Sequence, residues 1–356
     1  MYKIKVDFLI NGMILAKNIY DCDGTILLAA GVRIRDSYIT KLKELQIDEV
    51  YIQAEETADM VIEDIIHEQN RLEARKLAKT IMENIRMGNN IEMKEIYRRV
   101  NLIIDDLLNH RNVMVQLCDI RTVDDYTFAH SVNVCVLSII TGISMGYNHQ
   151  RLRDLGVGAL LHDIGKMQIA DTILNKPGEL NEDEFDVIKK HSDLGYALLC
   201  EIPDIAIDVK IVALTHHERY DGSGYPFGKK SEEIHEFSRI VAVADVYDAL
   251  TSDRVYKQKI LPHQAMEYLI AMAGHLFDPE IVKAFIRYIA VYPLGYIVAL
   301  SSGERGIIID SNHQFPTRPK IRVVYDAQGQ KCTERRELDL MEHTSIMITD
   351  VLEKLW

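Results

Sequence analysis

Five histidines and two aspartates constrain this chain more than any other feature. They are His130, His162, Asp163, His191, His216, His217 and Asp245, and they fall on stretches whose apolar spacing otherwise reads as buried helix. An apolar helix face rarely carries an ionisable group without a partner. One buried histidine is ordinary. This set spreads over several predicted helices and has a glycine-rich loop after one of its pairs, which is best explained by a common metal site toward which the helices converge. The predicted fold is mainly α, an all-helical bundle holding a metal centre.

Bulk properties narrow the function classes. The 356 residues allow two or three domains, and 47% apolar with 27% charged residues marks a globular chain throughout. A net charge of −13 argues against a nucleic-acid polymer as partner, although a local basic pocket can still take a small anionic substrate. Cys22, Cys118, Cys135, Cys200 and Cys332 form no CxxC pair, so a reducing compartment is expected rather than a disulfide framework. The start, MYKIKVDFLING, lacks the apolar core and cleavage site of a signal peptide. The most apolar stretch, Val132 to Tyr147, is too short to span a bilayer. The expectation is a cytoplasmic protein with no membrane insertion.

Four segments follow from the patterning. Residues 1–54 read as a small α+β module: a turn at Asp21–Gly24, a helix from Asp36 or Ser37 through Gln46, and a closing strand at Val50–Ile52. Residues 55–115 are charged, helical and free of proline. They read as a connector, either coiled-coil-like or a helical hairpin packed on the next domain. Residues 116–290 are nearly all helix, with Asn181 and Glu184 forming a capping box. Residues 291–356 show short apolar runs (Ile297–Leu300, Ile307–Ile309, Ile321–Val324) between turns, a small β-rich module.

Within 116–290, the pair His162-Asp163 ends an apolar run. A carboxylate has two oxygens, so Asp163 is able to bridge two cations. Lys166 follows His162 by four residues, on the same face if the helix continues, where it would meet a phosphate oxygen. His216-His217 also follows an apolar run and suits a helix end at a metal. Gly222, Gly224 and Pro226 then fix a tight loop.

The segments HDIGK at 162–166 and HHERYDGSGYP at 216–226 resemble the HD-GYP family, a branch of the HD-domain metal-dependent phosphohydrolases. The likeness covers about residues 115–290, with His130 upstream in YTFAHSVNV, His191 between the motifs and Asp245 downstream. The resemblance implies an HD-type bundle that hydrolyses cyclic di-GMP to pGpG, GMP or both, using two divalent metal ions, Fe or Mn by preference. By motif position, His130, His162, Asp163 and Asp245 would hold one metal. Asp163 would bridge to the second, completed by His191, His216 and His217. A hydroxide bridging metals about 3.5–4 Å apart would attack phosphorus. Lys166 would complete the phosphate clamp. Arg254 and Lys257 match phosphate-contacting positions, their alternative being a solvated cationic face. Gly222, Gly224, Tyr225 and Pro226 would border the substrate, and in relatives this loop is linked to GGDEF-domain partners. A homodimer is expected. Glu218 and Asp221 would either orient ligand imidazoles or stabilise the loop. Some relatives carry a glutamate four residues before the first motif histidine and hold a third metal. Here that position is Tyr126, and Asp125 would point to another face, so a two-metal centre is expected.

Two other readings remain open at this stage. One is a noncatalytic cyclic-dinucleotide sensor. The other is an HD-type phosphohydrolase acting on cyclic GMP-AMP or a mononucleotide.

Overall fold

The structure is a computed structural model that describes residues 1–21, 25–60, 62, 66–87, 92–109, 126–174, 176, 178, 180–252, 259–312 and 315–356, the side chains of 126 and 127 excepted. The chain forms two compact units. One comprises Met1–Asp64, Met114–Tyr126 and Ile289–Trp356; the other comprises Ile65–Val113 and Thr127–Tyr288.

The first unit unites the two ends of the chain. Its strands are β1 (Tyr2–Lys5), β2 (Ile19–Tyr20), β3 (Ile26–Leu28), β4 (Glu49–Ile52), β5 (Ile297–Leu300), β6 (Arg305–Asp310), β7 (Lys320–Tyr325), β8 (Lys331–Asp339) and β9 (Ile348–Leu352), with one helix, α1 (Asp36–Glu44). β1 pairs antiparallel with β4, and β2 with β3. The C-terminal strands form an antiparallel sheet in the order β8-β7-β6-β5-β9. Tyr2, Ile4, Leu15, Ile19 and Val50 share one core with Ile297, Ile307, Val324 and Leu355. A two-stranded sheet is marginal alone, so the small N-terminal sheets gain stability by burying their apolar side chains with those of the larger one. Buried Arg322 adds a polar tie: its guanidinium meets Asp59 at 2.6 and 3.1 Å, Glu337 at 2.7 Å and the Glu56 carbonyl at 2.6 Å. Thus the segments 1–54 and 291–356, separate modules on the sequence reading, fold together, and the start of the 55–115 connector joins them.

The second unit is helical: α2 (Glu68–Arg86), α3 (Met93–Asn109), α4 (Tyr126–Ser144), α5 (His149–Leu161), α6 (Asp171–Leu174), α7 (Glu182–Lys189), α8 (His191–Glu201), α9 (Ile207–Thr215), α10 (Glu236–Thr251), α11 (Pro262–Ala271) and α12 (Pro279–Ile286). α3 buries Ile96, Val100, Ile103, Ile104 and Leu107, an i, i+4, i+7 stripe. Full burial of each such side chain is worth about 1.5–3 kcal/mol. α3 packs on α2 and on α5, so most of the connector is a hairpin packed on the bundle rather than a free coiled coil. Expected caps are present: Asn181 and Glu184 close a capping box at α7. α7 ends at Lys189 with Lys190 as its cap, and its Phe185 is exposed. His191 therefore begins a new helix, and it is α8, not α7, that is buried around it. No helix among the described residues is long and apolar enough to cross a membrane.

Candidate metal centre

Each polar residue of the centre is delivered by the end or the middle of an apolar helix. α4 contributes His130. His162 is the residue at which α5 ends, and Asp163 follows it, leading into a single tight turn over Ile164–Gln168. α8 opens with His191; His216 ends α9, and His217 follows; Asp245 lies within α10. Helix carboxyl ends carry partial negative charge, so the ends of α5 and α9 favour a cation between them. Gly165 lets these pieces close up. A Cβ there would lie 1.9 Å from the His191 carbonyl oxygen and 2.5 Å from the Gly195 nitrogen, so only glycine allows the turn after Asp163 to meet the start of α8.

The seven residues converge, and Asp163 is the hub. Its Oδ2 faces His162 Nε2 at 3.3 Å and His130 Nε2 at 3.9 Å. Its Oδ1 faces His191 Nε2 at 3.5 Å and His216 Nε2 at 3.8 Å. His130 Nε2 is also 3.2 Å from Asp245 Oδ1. Two groups result, with ligand atoms all within 4.8 Å of one another: Asp163, His191, His216 and His217 in one, and His130, His162 and Asp245 in the other. Ligands about 2.0–2.2 Å from one ion are spaced in this way around it.

The chemistry of the donors fits a divalent cation. His162, His191 and His216 direct Nδ1 at main-chain carbonyls, at 2.7 Å (Ala159), 2.7 Å (Ile188) and 3.0 Å (Val212). Those bonds fix the tautomer that leaves Nε2 as a lone-pair donor toward the centre. His162 Nε2 and Asp163 Oδ1 are fully buried with no hydrogen-bond partner from the protein, which is costly unless an ion meets them. Burial pushes His191 and His216 below the usual imidazole range and His217 down to about 3, so they are neutral, as ligands must be. Burial opposes ionisation of Asp163, but Lys166 and the surrounding imidazoles outweigh it and hold the carboxyl well below its ordinary range. Asp245 behaves likewise, through its hydrogen bond with His130. His130 is the exception. Burial lowers its pKa, but hydrogen bonds to Asp245 and Asp248 prevail and raise it to about 9, so a cation must displace a proton there.

Other sequence expectations fare variously. Lys166 does not share a helix face with His162, because α5 ends and the tighter turn brings its ammonium 2.5 Å from Asp163 Oδ2. Tyr225 stacks on His217, ring centroids 4.7 Å apart. Gly222 has φ +85°, and a Cβ on Gly224 would fall 2.3 Å from the Arg219 nitrogen, so both glycines are demanded by the loop backbone. Pro226 is half-buried in that loop. Glu218 accepts from the Phe227 and Lys229 amides at 2.8 and 3.0 Å, and Asp221 from the Ser223 amide at 2.9 Å, which is loop stabilisation. Arg254, Lys257 and Asp125 lie outside the described residues, as does the side chain of Tyr126. The sequence reading missed Asp248 and Asn133. Asp248 is buried one helical turn after Asp245 and meets His130 Nδ1 at 2.7 Å; Asn133 is buried one turn after His130 and meets Asp248 at 2.7 Å. A polar residue three positions from a ligand on an apolar helix was the available signal.

Comparison with known proteins agrees with this geometry. A family profile described as "HD domain" matches residues 125–281, and one described as "KOW domain associated with HD domain" matches 297–354. A cyclic di-GMP phosphodiesterase of Pseudomonas aeruginosa is 36% identical over 267 residues, covering 75% of this chain and 64% of that protein. A cyclic di-GMP phosphodiesterase response regulator of Xanthomonas campestris is 49% identical over 144 residues, covering 40% and 38%. A 3'3'-cGAMP-specific phosphodiesterase of Vibrio cholerae is 31% identical over 216 residues, covering 60% and 40%. The chain thus spans less than two thirds of the length of these relatives. With the HD and GYP motifs in order, an HD-domain match and a buried His/Asp cluster suited to divalent metal, the chain belongs to the HD-GYP family.

Proposed function

We propose that this protein is a metal-dependent phosphodiesterase that hydrolyses cyclic di-GMP to pGpG, GMP or both, at a centre holding two divalent ions, Fe or Mn. The observation that carries the reading is the division of Asp163: one carboxylate oxygen faces His130 and His162, the other His191 and His216. That is how a carboxylate shared between two ions is placed. His130, His162 and Asp245 would hold one ion, and His191, His216 and His217 the other. When bound, the ions would activate water for in-line attack on phosphorus and neutralise the charge growing on the phosphoryl oxygens.

The chain's own groups orient and shield. Main-chain carbonyls lock three imidazoles, and Tyr225 covers His217. Lys166, partly open to solvent beside Asp163, would supply a cation for a substrate phosphate. Arg254 and Lys257 are proposed to contact substrate phosphate. Water added across one phosphodiester bond leaves a phosphomonoester and a hydroxyl, giving pGpG; a second cut gives GMP. Exposed Phe227, next to Pro226, supports a docking role for this loop toward a GGDEF-domain protein.

The test is turnover of cyclic di-GMP by anaerobically prepared protein loaded with Fe(II) or Mn(II), with pGpG and GMP resolved by chromatography and 3',3'-cyclic GMP-AMP run in parallel. Metal-dependent pGpG or GMP supports the proposal. Preferential cleavage of cyclic GMP-AMP would move the substrate assignment toward that of the Vibrio relative. Tight cyclic di-GMP binding without product from fully metallated protein would make the chain a sensor.

A further inference from the structure

His130 is held unlike the other imidazoles of the centre. Those of His162, His191 and His216 are anchored through Nδ1 by main-chain carbonyls. His130 is anchored by a carboxylate, Asp248 Oδ2, at 2.7 Å. The other oxygen of Asp248 accepts from Asn133 Nδ2, also at 2.7 Å. The exposures of His130, Asn133 and Asp248 are 4%, 1% and 1%, so the arrangement is buried throughout. Helical spacing builds it: His130 and Asn133 are one turn apart on α4, as are Asp245 and Asp248 on α10, and the two pairs face each other.

We propose that Asp248 is a positioning residue for His130, and that it makes the half of the centre formed by His130, His162 and Asp245 the tighter of the two metal sites. A carboxylate only accepts, so His130 Nδ1 keeps its hydrogen on Asp248, and when a cation displaces the proton that Nε2 shares with Asp245, it is Nε2 that offers its lone pair to the ion. A backbone carbonyl fixes a tautomer equally well, but it brings only a partial charge. A full negative charge behind the ring makes Nε2 a stronger donor. The same half also contains Asp245 and the Oδ2 side of Asp163. The other half sets three imidazoles against the single Oδ1 side of Asp163. A divalent cation therefore gains more in the first half. Asn133 matters through Asp248, holding the oxygen that His130 does not use.

This inference rests on the two-metal reading, so binding rather than turnover tests it. Full-length protein stripped of metal is titrated with Mn(II), and free Mn(II) is counted by electron paramagnetic resonance. The wild type is expected to take up two ions with distinct affinities. Asp248→Asn is expected to weaken the tighter step by about 10–100-fold and leave the other unchanged. Asn133→Ala should weaken the same step by a smaller factor. His191→Ala should abolish the weaker step, and combined with Asp248→Asn it should leave one weakened site. If Asp248→Asn titrates as the wild type, or loses both steps equally with a fallen melting temperature, the proposal is overturned, the second outcome marking a merely structural role. A wild type that takes up no Mn(II) would sink the two-metal reading itself.

Discussion

The two units resolve buried charge in opposite ways. In the β-rich unit, Arg322 is buried and both of its terminal nitrogens are met, by Asp59, Glu337 and the Glu56 carbonyl, so its charge is answered by two carboxylates even though Nε is left without a partner. At the centre of the helical unit, imidazoles crowd one another, with His216 and His217 ring centroids 4.0 Å apart, and two buried ligand atoms, His162 Nε2 and Asp163 Oδ1, lack a hydrogen-bond partner from the protein. The first pattern is that of a structural tie. The second is a cost the fold carries until a cation completes it. The difference separates an ion-pair network from a site better than the count of buried polar groups does.

The strongest way to break this comparison is to substitute one hub from each unit. Asp163→Ala is expected to lower metal-dependent turnover by about 10⁴-fold or more, since it removes a group on which both halves of the centre depend. The metal-free variant should melt within a few degrees of the wild type, because the loss of the partly exposed Lys166 pair is offset by removing a buried carboxylate whose other oxygen has no partner. Arg322→Leu should do the reverse, lowering the melting temperature by roughly 5 °C while changing turnover less than about twofold. Kinetics and thermal melting on both variants check this pair of outcomes. If Arg322→Leu loses turnover, or Asp163→Ala melts well below wild type, the division between tie and site fails.

A smaller effect is expected at Gly165. A methyl group there meets the backbone of His191 and Gly195, and neither is the end of a flexible chain. α8 must shift, and His191 with it. Gly165→Ala should keep its helical circular dichroism but lose about 10²-fold in turnover, as displacements near 1 Å at such sites do.

Much of this site was legible in the sequence because metal ligands break the pattern around them. His130 and Asp245 interrupt apolar helices, and HDIGK and HHERYDGSGYP fix order and spacing. What was not legible depends on where helices stop and which surfaces meet. α5 ends at Leu161 and tightens, so Lys166 reaches Asp163 instead of extending the face of His162. The runs at 297–300, 307–309 and 321–324 announced strands because they are apolar. β8 was missed because KCTERRELD, an exposed edge strand, carries charges where an inner strand would carry aliphatic residues. The shared core of residues 1–54 with the C-terminal sheet could not be read from either segment, since each shows an apolar face but not its partner.

Metal should act on one unit more than on the other. An ion that binds only the native state at about 100 times its dissociation constant adds about 2.7 kcal/mol, some 5–10 °C in melting temperature for a unit of this size. The helical unit is followed by circular dichroism at the helix band. The chain has a single tryptophan, Trp356, in the β-rich unit, so its fluorescence follows that unit. Mn(II) is expected to raise the helix-band transition by this amount and the tryptophan transition by no more than a degree or two. Equal shifts in both would show that the two units melt as one.

The subtlest contrast is in acid. In the metal-free helical unit, burial lowers His217 from 6.5 to about 3 and His216 well below 6.5. The unfolded chain then binds protons that the folded one refuses, so this contribution to stability is present above pH 6.5 and is lost progressively as pH falls below it. His130 has the opposite sign: with its pKa raised to about 9, it stabilises below pH 6.5 and that gain is lost as pH rises toward 9. In the β-rich unit, hydrogen bonds from Lys320, Arg322 and Arg335 lower Glu337 from 4.5 to about 2. Its contribution is intact above pH 4.5 and is lost only between there and pH 2. Acid titration of metal-free protein should therefore move the helix-band signal first, beginning below pH 6.5, and the Trp356 signal later, below pH 4.5. His217→Gln should shift the first transition to lower pH and leave the second alone, and Glu337→Gln should flatten the second alone. A single transition shared by both probes and moved by both substitutions would mean that the buried imidazoles and the Arg322 network belong to one cooperative structure, and the contrast between the units would then be one of chemistry but not of stability.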